Sequence, residues 1–174
     1  MIFLTTPFDS YDLKRNYTLP KNHIAYFIHL FVSSIPDSII VPEAHSTLNH
    51  DPQLLLKMIL FAYHHDTFSG KEIEILNEDN LPMMCLSQQK YISYEEFNTF
   101  RKNEYYSTLI KRIFIHLNLL LQEHPKLQDE EIPTFLQWNH AIENYDKSLY
   151  EKMSHDYDQL IQKQVDIVIE KEQN

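Results

Sequence analysis

Apolar residues recur at helical spacing along most of this chain, and the breaks in that rhythm divide it into segments. Ile24, Phe27, Ile28, Phe31, Val32 and Ile35 share one stripe, which predicts a first helix capped by Asn22 and stopped by Pro36. From Gln53 to His64 the chain is apolar on almost every side, with Leu54-Leu55-Leu56, Met58-Ile59-Leu60-Phe61 and Tyr63. That pattern marks a helix surrounded by others. Asp51-Pro52 opens it with a capping acceptor and a proline whose missing N–H costs nothing at the first helical position. A segment from Ser69 to about Asn77 turns Ile73 and Leu76 inward, a short apolar turn runs from Leu81 to Leu86, and a further segment from Ser93 presents Phe97, Phe100 and Tyr94. Ser69-Gly70-Lys71-Glu72 and Ser93-Tyr94-Glu95-Glu96 both fit the capping box, in which serine and glutamate satisfy orphan amides reciprocally. Three capped helices with tight connections between His50 and Arg101 predict a helix-turn-helix-like unit.

The longest regular stripe follows. Between Tyr105 and Glu123, Leu109, Ile110, Ile113, Phe114, Leu117, Leu120 and Leu121 repeat at three and four and predict the helix that closes the core. His124-Pro125 ends it. Residues 1–21, with Pro7 and Pro20 and no sustained period, read as an extended arm, and Ile35-Pro36-Asp37-Ser38 followed by Pro42 to His50 reads as a polar connecting loop. Residues 126–133 read as an acidic linker. From Phe135 onward Trp138, Ile142, Tyr145 and Leu149, then Met153, Tyr157, Leu160, Ile161, Val165 and Val168, define a C-terminal helical extension over 134–174. Its charges fall mostly between these positions, so the stripe needs a partner: the preceding bundle, or a second copy in a coiled-coil homodimer. The expected architecture is all-α, a compact helical bundle over 22–125 with a helix-turn-helix-like unit and a long C-terminal helical extension.

Composition narrows this picture further. A single glycine, Gly70, among 174 residues argues against hairpins, barrels, Rossmann turns and phosphate-cradling loops, all of which need positive φ at defined places. Eleven tyrosines and ten phenylalanines supply a core that a disordered chain lacks, despite a net charge of −10. Cys85 has no second cysteine to pair with, which suits a reducing compartment. Met1-Ile2-Phe3-Leu4 shows no basic region followed by an apolar run, and no stretch approaches a membrane span, so a cytoplasmic protein that does not enter a membrane is expected.

Candidate chemistry is sparse. Adjacent histidines on a helix point roughly 100° apart, so His64-His65-Asp66 does not make a metal site, and a C-terminal histidine beside the negative end of the helix dipole explains it better. No Ser-His-Asp order, nucleophile elbow or Walker loop is present. No metal, cofactor or catalytic residue is expected. Tyr91, Tyr94, Tyr105 and Tyr106 lie among Lys90, Arg101, Lys102, Lys111 and Arg112, a mixture that can stack bases and neutralise phosphate. Packed rings with cations left in water produce the same mixture. Overall, 25 acidic against 15 basic side chains disfavour tight nonspecific binding of nucleic acid.

Five segments in register carry a resemblance: His50-Asp51-Pro52-Gln53-Leu54-Leu55-Leu56-Lys57, Leu60-Phe61-Ala62-Tyr63, Phe68-Ser69-Gly70-Lys71-Glu72-Ile73-Glu74, Met83-Met84-Cys85-Leu86-Ser87-Gln88 and Ser93-Tyr94 through Phe97-Asn98-Thr99-Phe100-Arg101. Over residues 20 to 125 the chain resembles the N-terminal domain of bacterial insertion-sequence transposases of the acidic-triad (DDE) type. The resemblance implies a helical module that recognises the ends of a mobile element, with Ser93 to Lys102 presented to the groove and Ser69 to Leu76 in support. Lys71, Lys90, Tyr94, Asn98, Arg101 and Lys102 become the DNA-contact candidates. Glu72 stands where the family commonly has arginine, Glu95 and Glu96 replace neutral residues, and Cys85 replaces a tryptophan. The Asp-Gly-Thr motif that carries the first catalytic carboxylate is missing, because no glycine follows Gly70. The resemblance therefore implies a non-catalytic, transposase-derived protein that binds DNA or regulates. The alternative is an acidic protein-binding or inhibitory module repurposed from that domain. A contiguous basic face around Arg101, Lys102, Lys111 and Arg112 would favour DNA, and an acidic face would favour protein.

Overall fold

The computed structural model describes residues 17–41, 48–123, 134, 137 and 146–173. Most of the arm over 1–21, all of the linker over 126–133 and Trp138, Ile142 and Tyr145 lie outside the described residues. Among the described residues the protein is all-helical, with no strand. The elements are α1 (Ile24–Ser33), α2 (Asp37–Ile40), α3 (Pro52–His64), α4 (Gly70–Asp79), α5 (Leu81–Leu86), α6 (Tyr94–Lys102), α7 (Glu104–Glu123), α8 (Lys147–Tyr157) and α9 (Lys163–Gln173), with a π-helical turn at Asp158–Gln162 joining the last two.

Helix α3 is the centre. Every residue from Leu54 to Tyr63 is buried, including Lys57, whose ammonium donates to Gln53 Oε1 at 3.1 Å. Asp51 caps it through Gln53 N at 2.9 Å, with Pro52 at the first position. Against α3 pack α1, through Phe27, Ile28, Phe31 and Val32, and α4 to α7. The cap of α1 is His23 rather than Asn22: its Nδ1 accepts from Ala25 N at 3.1 Å. The expected loop after Pro36 contains one helical turn, α2, because Ile40 is buried against the core. Likewise Leu81 to Leu86 forms α5 rather than a turn. Asn80 Oδ1 accepts from Met83 N at 3.0 Å, capping α5.

The two expected capping boxes differ. Ser69 caps α4 through Glu72 N at 3.2 Å, whereas Ser93 makes no side-chain cap. At α6 a neighbouring helix intervenes: Glu74 of α4 accepts from Tyr94 N at 3.3 Å. Glu96 is drawn away to His50, accepting from its backbone N at 2.8 Å and meeting Nδ1 at 2.7 Å. With almost no glycine available, the left-handed positions at φ 54°, 55° and 60° fall to Asp66, Gln88 and Gln89.

Helix α7 is buried beyond its predicted stripe. Ile115, His116 and Leu119 are interior as well, because α8 lies against the side facing away from α3. The rings of Phe114 and Tyr157 meet at 5.6 Å, and those of His116 and Tyr150 at 6.0 Å. Among the described residues of the C-terminal run, Tyr157, Val165 and Ile169 are the fully buried apolar ones, while Leu160 stands exposed. The π turn explains that departure from the predicted stripe, since an extra residue per turn rotates Leu160 off the inner face.

Candidate interaction face around the C-terminal helix

Helix α9 ends where α4 begins. The Glu172 carboxylate accepts from Ser69 Oγ at 2.5 Å, Lys71 N at 3.1 Å, Gly70 N at 3.2 Å and Asn98 Nδ2 at 2.8 Å. A helix N-terminus presents unpaired amides and a positive dipole end, so a carboxylate is stable there. Burial pushes the Glu172 carboxyl upward, but hydrogen bonds from Ser69, Asn98 and Lys71 N, with the charge of Arg101, outweigh it and hold the group below its ordinary range. Gly70 is required here by close approach rather than by φ. A β-carbon would lie 2.7 Å from Asn98 Oδ1 and 2.8 Å from Glu172 Oε2.

Around this carboxylate the structure gathers five of the six candidate DNA contacts. Lys71 gives its backbone N–H, and its ammonium lies 5.1 Å over the Tyr94 ring. Asn98 bonds Glu172, and Lys102 Nζ bonds Gln173 Oε1. Arg101 is only 3% exposed, with its guanidinium on Phe68 O and Asn98 Oδ1. Lys90 stands apart, its carbonyl accepting from Asn77 Nδ2 at 2.9 Å.

Two of the candidates are buried. Arg101 and Asn98, expected to reach a groove, point into the protein, because α6 uses that face to pack on α3 and α4 and to meet α9. Nor do the cations make one open basic face: Arg101 is buried, Lys102 meets Gln173, and Lys111 donates to both carboxylate oxygens of Asp158 at 2.7 Å. Asp166 and Glu170 line a crevice of about 740 Å³ together with Arg101 and Lys102.

No family model matches the chain, and no curated protein or solved structure resembles it significantly.

The outward side of α4 and the approach to α6 are acidic. Tyr91 donates its hydroxyl to Glu74, and that bond, with some burial and the charges of Glu74, Glu78 and Glu95, pushes its pKa up to about 12. Glu72, Glu78, Asp79 and Glu95 are exposed on the same two helices. Two apolar side chains stand among them, Ile75 at 57% and Tyr91 at 61% exposure. The sequence pattern marked Glu72 and Glu95, which are exposed on this side, and Glu96, which is buried against His50; it missed Ile75, which breaks the inward pattern of Ile73 and Leu76. It also missed Glu172, whose only signal was an acid near the chain's end with no intrahelical cationic partner three or four residues before it. Among the described residues no three His, Cys, Asp or Glu side chains converge as a metal site, and no helix is long and apolar enough to cross a membrane.

Proposed function

We propose that this chain is a non-catalytic, acidic protein-interaction module with a regulatory role, built on a helical fold that resembles the DNA-end-recognition domain of insertion-sequence transposases. One observation carries the reading. Where the resemblance would seat a duplex, the exposed side of α4 and α6 carries Glu72, Glu78 and Glu95 around exposed Ile75 and Tyr91. Carboxylates repel a phosphate backbone, whereas an aliphatic and an aromatic side chain rimmed by acids suit a protein partner with a basic edge. Lys71 on α4, Lys90 before α6 and Lys102 on α6, which bonds Gln173, are exposed cations of this region, fewer than the exposed carboxylates Glu72, Glu78, Asp79 and Glu95.

The test pairs two measurements on the full chain. In a gel shift with random duplex DNA at low and moderate salt, no retardation is expected at either. In a pull-down, the proteins retained by wild-type protein should be lost from Ile75→Lys, which spoils the apolar centre without touching the core. A shift persisting at moderate salt, or capture indifferent to Ile75→Lys, overturns the reading in favour of nucleic acid or of another surface.

A further inference from the structure

The C-terminal run is held to the bundle in an uneven way. Beyond the π turn, α9 is eleven residues long, yet its fully buried side chains are Val165 and Ile169, and the π turn itself buries none. Much of the remaining hold is polar and sits at the far end: Glu172 in the ring of donors from Ser69, Gly70, Lys71 and Asn98, and Gln173 on Lys102. Irregular helical turns of the π type occur where a helix bends or works.

The donors, the two apolar seats and Lys102 together form a surface of defined chemistry. It accepts a helix carrying two apolar residues four apart and a carboxylate three residues further on, the pattern Val165, Ile169, Glu172. Charge complementarity sits at the far end, where the charge of Arg101 and the amides of the α4 N-terminus face the Glu172 carboxylate. From these observations we infer that the seat beneath α9 is a docking surface for an acidic amphipathic helix supplied by a partner protein, filled in cis by the chain's own C-terminal helix and vacated when α9 swings about the π turn. The inference rests on the reading of this protein as a protein-interaction module and names a second surface of it, distinct from the Ile75–Tyr91 side.

The probe is a labelled synthetic peptide of residues 163–173, the α9 segment itself, titrated into the full-length chain. Weakening the cis contact with Glu172→Ala leaves the amides, Asn98 and the apolar seats in place. The peptide should then bind that variant roughly tenfold more tightly than wild type, since the apparent affinity for a mostly closed seat is reduced to the fraction of molecules in which the seat is open. A peptide carrying the same Glu172→Ala change should bind neither. Equal affinity for both chains, equal binding of both peptides, or no binding to the variant would each overturn the inference. Should Glu172→Ala fail to fold, hydrogen exchange on wild type decides. Residues 163–173 are expected to open as a unit far more often than α3, and protection equal to that of α3 makes α9 part of the core and refutes a vacated seat. A chain that shifts DNA yet passes the peptide test would refute the functional reading while leaving the seat intact.

Discussion

Helix α3 and the C-terminal run are both packed helices, yet they are held by different physics. Along α3 ten consecutive residues, Leu54 to Tyr63, are buried on all sides, so its stability is spread over dispersion and desolvation contacts with nearly every neighbouring helix. From Lys147 to Gln173 full burial is limited to Tyr157, Val165 and Ile169, and partly buried Leu149, Tyr150, Met153 and Ile161 together with discrete polar contacts supply the rest. A dense core opens only with the whole domain. A helix held at a few points can open alone, at a free energy below the global value.

The largest expected effect breaks the first half of that comparison. Leu56→Ala removes a side chain with 0% exposure at the centre of α3. Such truncations cost about 2–5 kcal/mol, depending on how far the neighbours collapse. Urea denaturation followed by circular dichroism should show the helical transition shifting to much lower denaturant as one step. A loss below about 1 kcal/mol would mean that α3 is not the hub on which the other helices depend.

How much of this contrast was legible in the sequence follows from the same physics. Apolar period alone locates α1, α3 and α7, because core burial is what makes a helix periodic, and Asp51-Pro52 marks a start that needs no tertiary information. The local signals at Ser93 and Glu96 mislead. Glu74 and His50 reach them from other parts of the chain, and a contact between distant residues leaves no trace at short spacing. The burial of Arg101 is hidden from the sequence for the same reason. A cation beside an aromatic run reads as a surface contact until Phe68 O and Asn98 are found to surround it. The stripe of the C-terminal run is correct in kind but slips at Leu160, since a π turn is set by packing rather than by composition.

The second prediction concerns the layer where the two regions meet. His116 lies 2% exposed on α7, against the Tyr150 ring of α8. Burial, and then the charge of Arg112, lower its pKa to about 4. A folded pKa below the unfolded value means that the unfolded chain takes up the proton first, so stability falls as pH drops through the ordinary histidine range and stops falling once the folded group also titrates near 4. The window between about 6.5 and 4 is worth on the order of 3 kcal/mol. His23, His29 and His64 are shifted the same way by burial and add to it. His116→Gln should flatten part of the acid limb in thermal melts taken from pH 7 to pH 4.5. An unchanged limb would place the acid sensitivity elsewhere and loosen the claim that α8 seals α7.

The smallest effect tests whether the C-terminal run is held by its charges at all. Lys111 and Asp158 meet at 2.7 Å, but the Asp158 side chain is 48% exposed, so water and salt share the interaction. Exposed pairs of this kind contribute from nothing to about 1 kcal/mol, and screening erodes them further. Asp158→Asn should therefore lower global stability by no more than about 0.5 kcal/mol at low salt and leave it unchanged at high salt. Its effect on local opening should be larger in proportion, because Asp158 sits in the π turn, where no side chain is fully buried and each tether counts for more. Hydrogen exchange across 158–173 in low salt reads this directly. Faster exchange confined to that stretch supports a helix tethered at points, whereas unchanged exchange would shift the burden to Tyr157, Val165 and Ile169 and make the two regions alike in what holds them.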